Sequence, residues 1–492
     1  MGQSLGKRAI SSFAWKFAER LIYYAVQFFV QIALARILAP SDFGTIAIVF
    51  VFINLMNVFV QSGLNTALIQ AKDVKVEDFS TVFWIGIIVA TVCYAVIFFA
   101  APEISTFYGI ENLSPILRVM SLLLFINSFN AVQVAIVMRE LKTRYLMQAT
   151  LASCVASGAT GLACAWCGAG VWALVAQQLI FQLVSCCVLS AQVRWRPRLI
   201  FSPERAKRLF GFGWKLLASS LLDTVYQGFY NLAIGKVFSS AQLGLYSQGD
   251  KLPSAFCTIF DNSTKTVLLS VASKVQDDIE RIKGVTRKAM MLSTFAVAPI
   301  MAFLALFAEP IITLLFGGKW LPAVPFMQLM CLAYAFWPVH TSNLQALNAI
   351  GKSDVFLKLE IVKKAIGLVI LFATLAFKCD LTIVIAGKVV GSLLSMIVNA
   401  SPAKRYLGYS FREQLRDIFP AYAFSCVGLF AARVVPFFMT EGQVFCYAAQ
   451  AGVFAAVYLC AAAATRSRAL AYLVDFCRAY FGANMTNGKA SC

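Results

Sequence analysis

Charge is scarce in this chain: Asp, Glu, Lys and Arg make up 13% of its 492 residues, against roughly a quarter in water-soluble globular proteins. A soluble fold would have too few ionised side chains to cover its surface, so that class is excluded. Negative charge is scarcer still, with 23 Asp and Glu against 42 Lys and Arg, and His340 is the single histidine. Sites built on clustered imidazoles are therefore excluded. HExxH and GxSxG motifs are absent. The nearest approach to the phosphate-cradling G-x-x-x-x-G-K-[ST] loop, Ala346 to Ser353, has alanine in place of the first glycine and lies in apolar sequence. ATP binding is excluded on that ground, and neither an enzyme site nor a cofactor is expected.

Cysteine, by contrast, is plentiful, but nearly all 14 residues lie in apolar stretches, where the thiol packs as a small hydrophobe. Cys164 and Cys167 form a CxxC beside Trp166 with no second CxxC or histidine near it, so no metal site is expected.

What the chain does have is apolar sequence, 60% of its residues. Taking stretches of about twenty apolar residues as spans, the sequence predicts helices near 13–38, 43–69, 80–101, 113–138, 147–167 and 170–190, then near 210–237, 241–270, 289–316, 322–349, 356–377 and 381–400. Two more follow, near 415–436 and 442–464. The fold class is an all-α polytopic membrane protein of about fourteen helices. The first run ends without a small-residue cleavage site and is read as a retained span rather than a signal peptide.

Basic residues set the orientation. The amino terminus and the connectors near 72, 142, 200, 280, 355 and 405 collect about thirty Lys and Arg, whereas the opposite connectors hold about five, Arg36, Lys236, Lys319, Lys378 and Arg433. Both termini are therefore expected in the cytoplasm. The basic connectors are expected to meet anionic headgroups rather than nucleic acid. The Arg-rich stretch from Arg194 through Arg198 to Arg208 separates the first six spans from the next six.

An offset of 200 places Arg36 on Lys236, Phe43 on Leu243, Gly44 on Gly244 and Leu68 on Leu268; an offset of 210 then places Pro115 on Pro325, Met120 on Met330 and Lys142 on Lys352. Six spans per unit make the repeat parallel, with its pseudo-twofold axis along the membrane normal. The expected divisions are 1–200, 201–410, a two-helix addition over 411–465 and a cytoplasmic tail over 466–492.

Ionisable residues inside spans are costly and usually face a cavity or a partner. Here they are Glu19 and Arg20, Lys215 and Asp223, Asp250, Lys251, Asp261 and Lys265, Glu360, Lys363 and Lys364, and Lys388. The spacing lets Asp261 pair with Lys265 and Glu360 with Lys364. Arg20, Lys215 and Lys363 lie near enough to a span end to snorkel into headgroups. Cations facing one cavity would suit an anionic ligand such as a pyrophosphate. Pro253, Pro299 and Pro338 remove backbone donors from three spans. His340 reads as a buried structural group or a proton relay. Asn57, Gln61, Asn65, Gln227, Asn231, Gln248 and Asn262 give polar faces suited to sugar hydroxyls or to binding helices together.

The stretch Leu34-Ala35-Arg36-Ile37-Leu38-Ala39-Pro40-Ser41-Asp42-Phe43-Gly44 resembles the LAR-x-L-x-P-x-D/E-F/Y-G signature of polysaccharide exporters. These are the Wzx-type flippases of the multidrug/oligosaccharidyl-lipid/polysaccharide superfamily. Ile234-Gly235-Lys236 with Leu243-Gly244-Leu245-Tyr246-Ser247 resembles the same family's second motif, and residues 273–281 are similar to the teichuronic and colanic acid exporter branch. The resemblance covers residues 10–410. It implies a V-shaped pair of six-helix bundles in the bacterial plasma (inner) membrane. Its implied substrate is an undecaprenyl-pyrophosphate-linked oligosaccharide, moved to the outer leaflet for O-antigen, capsule or exopolysaccharide assembly, with a polysaccharide polymerase as a possible partner. The implied cavity is cationic and lined by the first, second, seventh and eighth spans. Arg20, Lys215, Lys251 and Lys265 are the expected pyrophosphate ligands, and Asp223, Asp250, Asp261 and Glu360 the candidates for ion coupling. Arg36, Asp42, Gly44, Lys236 and Gly244 are motif residues expected to hold helix ends together at outward turns. Where many members carry an Asp-Asn pair this chain has Tyr230-Asn231. A cation-coupled multidrug exporter of the same superfamily and a membrane enzyme of glycan polymerisation are the alternatives. The basic bias of the buried charges disfavours the first, and the short outward loops disfavour the second.

Overall fold

The computed structural model describes residues 2–61, 68, 76–272, 275, 278–438 and 442–474; side chains at 2–14, 16–18, 21, 76, 205–213, 215–216, 269–270 and 353 lie outside the description. Asn65 and the tail from 475 onward lie outside it too. The helices are α1 (Gly2–Ile37), α2 (Pro40–Gln61), α3 (Val76–Tyr108), α4 (Leu113–Met120), α5 (Leu123–Arg139), α6 (Arg144–Trp166), α7 (Val171–Val193), α8 (Pro203–Val237) and α9 (Ser240–Ala272). After them come α10 (Ile279–Leu306), α11 (Ala308–Phe316), α12 (Val324–Ala335), α13 (Trp337–Ala349), α14 (Ser353–Ala376), α15 (Leu381–Leu407), α16 (Phe411–Val434) and α17 (Gln443–Ala464).

Among the described residues, ten helical segments are long and apolar enough to cross a membrane. Helix also occupies the four other expected spans, in α1, α8, α9 and α14, but those helices carry most of the in-span charges, and their described residues fall short of the same apolar standard. The protein is a multi-pass membrane protein with an all-α fold. Spans four and ten are each broken once. The first breaks between α4 and α5, where Ser121 Oγ donates to the Arg118 carbonyl at 2.7 Å. The second breaks at Phe336, with Pro338 in the first turn of α13. Pro253 and Pro299, in contrast, lie inside α9 and α10. His340 is buried as a structural group, its Nδ1 3.0 Å from Asn399 Nδ2 and its Nε2 3.5 Å from Ser392 Oγ.

Two compact units result, Met1–Ser247 with Leu315–Gly317, and Gln248–Leu314 with Gly318–Cys492. The first unit includes α8, which packs on α2. A Cβ added at Gly228 would lie 2.4 Å from Val51 Cγ1, and one at Gly235 would lie 2.9 Å from Ile48 Cδ1. Absence of side chains at those two positions lets the helices approach.

In the second unit the last two helices, α16 and α17, are tied to α10. α16 docks on α10 through Asp417, which is 4% exposed: Arg287 Nη2 donates to Oδ1 at 2.6 Å, Arg287 Nε stands 2.5 Å from Oδ2, and the Tyr409 hydroxyl donates to Oδ2 at 2.8 Å. Burial, followed by the Asp417 carboxylate, pushes the Tyr409 phenol up from its ordinary value, so it remains a donor. Met291, Phe295 and Ala298 of α10 continue the contact against Ala421 and Phe424 of α16 and Tyr458 of α17. The Tyr458 hydroxyl donates to the Phe295 carbonyl at 2.8 Å. The capping box of Ser410 and Glu413 starts α16.

Candidate functional site

Two polar stripes face one another in the first unit. Asn54, Asn57 and Gln61 follow i, i+3, i+7 spacing on α2, and Thr224, Gln227 and Asn231 repeat that spacing on α8. At 3.6 residues per turn each set lies along one side of its helix. Together with Phe50, Val51 and Val58 they line a cavity of about 540 Å³. Its polar wall consists of amides and one hydroxyl. Asn57 is oriented by a relay: Asn127 Nδ2 donates to Asn57 Oδ1 at 3.2 Å, and Gln182 Nε2 donates to Asn127 Oδ1. Primary amides offer donors and acceptors side by side, which matches a neutral, hydroxyl-rich ligand. A cationic ligand would call for carboxylates, and this lining has none.

The expected pyrophosphate ligands do not form this wall. Arg20 is exposed on α1, beside Glu19, whose Oε1 accepts from Thr150 Oγ1 at 3.3 Å. The Lys215 side chain lies outside the described residues. Lys251 is exposed on α9, and Lys265 pairs with Asp261 at 2.6 Å. The lining of this cavity is amide, and the expected cationic ligands lie elsewhere. Asp223 is exposed on α8, one residue before the cavity-lining Thr224. Asp250 accepts from the Tyr334 hydroxyl at 2.9 Å. Asp261 accepts from Thr341 Oγ1 in addition to its pairing with Lys265. Glu360 pairs with Lys363, at i, i+3, where the sequence reading had Lys364. Three and four residues both bring a side chain to the same helix face.

The motif residues converge at the other end of α2 and α8. Asp42 Oδ2 accepts from the Ala39 amide at 2.9 Å and so caps α2. Gly44 and Gly244 sit where α2 and α9 touch backbone to backbone: a Cβ on Gly44 would lie 1.6 Å from the Ser240 carbonyl oxygen, and one on Gly244 would lie 1.9 Å from that of Pro40. The contact is reciprocal under the offset of 200. Arg36 and Lys236, related by the same offset, each cap the carboxyl end of another helix. Arg36 Nε donates to the Leu315 carbonyl at 3.0 Å, near the end of α11. Lys236 Nζ donates to the Phe107 carbonyl at the end of α3 and stands 4.2 Å from the centre of the Phe107 ring. A cation is favoured there because the helix macrodipole leaves negative partial charge on terminal carbonyls.

The sequence reading named Asn57, Gln61, Gln227 and Asn231 as polar faces, and the structure brings all four together. It missed Asn54 and Thr224, which the repeated i, i+3, i+7 spacing would have revealed. Gln248 is buried on α9 and Asn262 is exposed, and neither lines the cavity. Among the described residues no group of His, Cys, Asp or Glu could hold a metal ion, and Cys164 and Cys167 are free thiols at the end of α6.

A family profile described as "Polysaccharide biosynthesis protein" matches residues 33–325. The chain is 24% identical over 349 residues to the succinoglycan biosynthesis transport protein ExoT of Rhizobium meliloti (strain 1021), covering 71% of each protein. It is 21% identical over 424 residues to the lipopolysaccharide biosynthesis protein WzxC of Escherichia coli (strain K12), covering 84% of this chain and 85% of that one. Among solved structures, the lipid II flippase MurJ in an inward closed conformation aligns with a TM-score of 0.72 at 15% identity, over 93% of this chain and 98% of that one. An inward-facing multidrug resistance transporter of the MATE family aligns with a TM-score of 0.60 at 16% identity, over 79% and 98%. The last two likenesses establish the fold.

Proposed function

The chain belongs to the polysaccharide biosynthesis protein family, and from that premise we propose that it is a flippase moving an undecaprenyl-pyrophosphate-linked oligosaccharide from the cytoplasmic to the outer leaflet of a bacterial plasma membrane. The observation that carries this reading is the amide-lined cavity between α2 and α8. Amides exchange hydrogen bonds with sugar hydroxyls without fixing a charge, so a glycan can enter and leave. Relatives named for succinoglycan transport and for lipopolysaccharide biosynthesis agree with a glycan as cargo.

In this reading the protein works by alternating access and makes or breaks no covalent bond. Both termini lie in the cytoplasm, in keeping with the basic connectors. Arg20, Lys215, Lys251 and Lys265 meet the pyrophosphate. Of the four candidates for ion coupling, Asp261 and Glu360 already hold a lysine from their own helix. Asp250 accepts from the Tyr334 phenol and lies within electrostatic reach of Lys388, and it is the carboxylate proposed to exchange a proton or cation. A polymerase acting on the exported glycan is the partner that such a product requires. The neutral cavity wall argues against an exporter of cationic drugs.

Reconstitution tests the reading. Purified protein in proteoliposomes is expected to move a fluorescent undecaprenyl-pyrophosphate oligosaccharide between leaflets, and the Arg20→Gln, Lys251→Gln, Lys265→Gln triple variant is expected to lose that movement while inserting normally. Equal rates in parent and triple variant would remove these cations from the mechanism.

A further inference from the structure

The cytoplasm-assigned segment after α7 is held against α3 and carries two arginines beside exposed apolar side chains. α7 leaves the apolar region at Val193, and the next residues, Arg194 to Ser202, run back along the start of α3 instead of swinging free. Three hydrogen bonds tie them there: Trp84 Nε1 donates to the Arg198 carbonyl at 2.9 Å, the Arg198 amide donates to Ser80 Oγ at 3.2 Å, and the Ser202 amide donates to Thr81 Oγ1 at 3.3 Å. The Trp195 ring packs between them, 6.1 Å from the centre of Phe83 and 6.3 Å from that of Phe129. A connector fixed in this way holds its side chains at one depth relative to the membrane.

Those side chains divide by chemistry. Arg194 and Arg196 are exposed and line one side of a cavity of about 660 Å³, whose other walls include Phe129, Cys186, Cys187 and Ala191. Just beyond, Leu199 is 90% and Phe201 51% exposed. Large apolar side chains so exposed beside arginines fit the boundary between headgroups and acyl chains, where each type finds its own phase. Arg194 adds a second observation. Its φ is +53°, in the left-handed region at the carboxyl cap of α7, a position that glycine fills at least cost.

We propose that this cavity binds an anionic phospholipid of the surrounding membrane. Its phosphate lies between the Arg194 and Arg196 guanidinium groups, and the upper part of one acyl chain lies against Phe129, Cys186 and Cys187. Basic pockets at span ends take anionic headgroups in this way, through charge-assisted hydrogen bonds. The site is separate from the amide cavity and does not depend on what the protein transports.

Native mass spectrometry of the full chain in detergent micelles, titrated with phosphatidylglycerol, tests the assignment. The parent is expected to retain one lipid tightly, and the Arg194→Gly, Arg196→Gln variant to bind it roughly thirtyfold more weakly, the factor two interfacial arginines supply. Because glycine relieves the strain at residue 194, that variant is expected to melt no lower than the parent, which separates lost binding from misfolding. Cys186→Phe, which fills the cavity without touching charge, is expected to release the lipid as well. Unchanged retention in both variants, or equal retention of phosphatidylcholine by the parent, would overturn the site. Displacement of phosphatidylglycerol by farnesyl pyrophosphate at equal or lower concentration would overturn the choice of occupant, giving the site to the pyrophosphate of the transported lipid.

Discussion

Gly44 and Gly244 are read in the sequence as motif letters, and the structure gives the reason for them. Each faces a backbone carbonyl of the helix it crosses, at 1.6 and 1.9 Å from where a Cβ would stand, so no rotamer change can make room. Gly44→Ala and Gly244→Ala are therefore each expected to destabilise the protein by about 3 kcal/mol or more, the upper end for overpacked sites, because the helices themselves must move. Gly452→Ala provides the contrast. That glycine lies inside α17 with open space around it, so alanine there is expected to stabilise by up to about 1 kcal/mol through helix propensity. Thermal unfolding in detergent reads all three, and similar shifts for Gly44→Ala and Gly452→Ala would contradict the backbone contact.

Helix ends carry the next level of organisation. Arg36 and Lys236 bind terminal carbonyls of α11 and α3, so each cation ties its own helix to the end of another. Arg36→Met is expected to cost about 0.3–1 kcal/mol, the worth of a cation at an exposed helix carboxyl end. Lys236→Met is expected to cost more, since it also gives up the Phe107 ring, a contact worth about 0.5–1 kcal/mol. Arg36→Lys is expected to preserve the cap. Melting temperatures in the order Arg36→Lys, Arg36→Met, Lys236→Met, from highest to lowest, match this geometry; no separation among them would argue against it. Element by element, the sequence was legible where periodicity and charge act locally. The helix positions and the Asp261–Lys265 pair were open to reading. The exchange between helices was not. That Arg36 reaches α11, or that α8 packs on α2 through Gly228, depends on tertiary contacts that hydropathy does not encode. The same holds for α16 and α17: their attachment through Asp417 and Arg287 joins residues 130 apart in the chain.

At the scale of the whole molecule, charge and polarity have separate places. Charged side chains in the helices of the second unit are met by nearby partners, as in Asp261 with Lys265, Glu360 with Lys363 and Asp417 with Arg287, whereas the cavity of the first unit presents uncharged amides. A list of in-span lysines does not say which way each one faces. The amide stripes were visible in outline, yet their meeting across α2 and α8 was not. The account rests on that meeting, and one measurement tests it most directly. Leaflet-to-leaflet movement of undecaprenyl-pyrophosphate oligosaccharide is compared in proteoliposomes holding the parent chain or the Asn54→Leu, Gln227→Leu double variant, which spares the Asn127–Asn57 hydrogen bond. Replacing two amides leaves two sugar hydroxyl contacts unmade at about 1 kcal/mol or more each, so the rate is expected to fall at least roughly tenfold, with membrane insertion and melting temperature unchanged. A double variant that moves the lipid-linked glycan as fast as the parent would contradict the claim that this cavity receives the sugar.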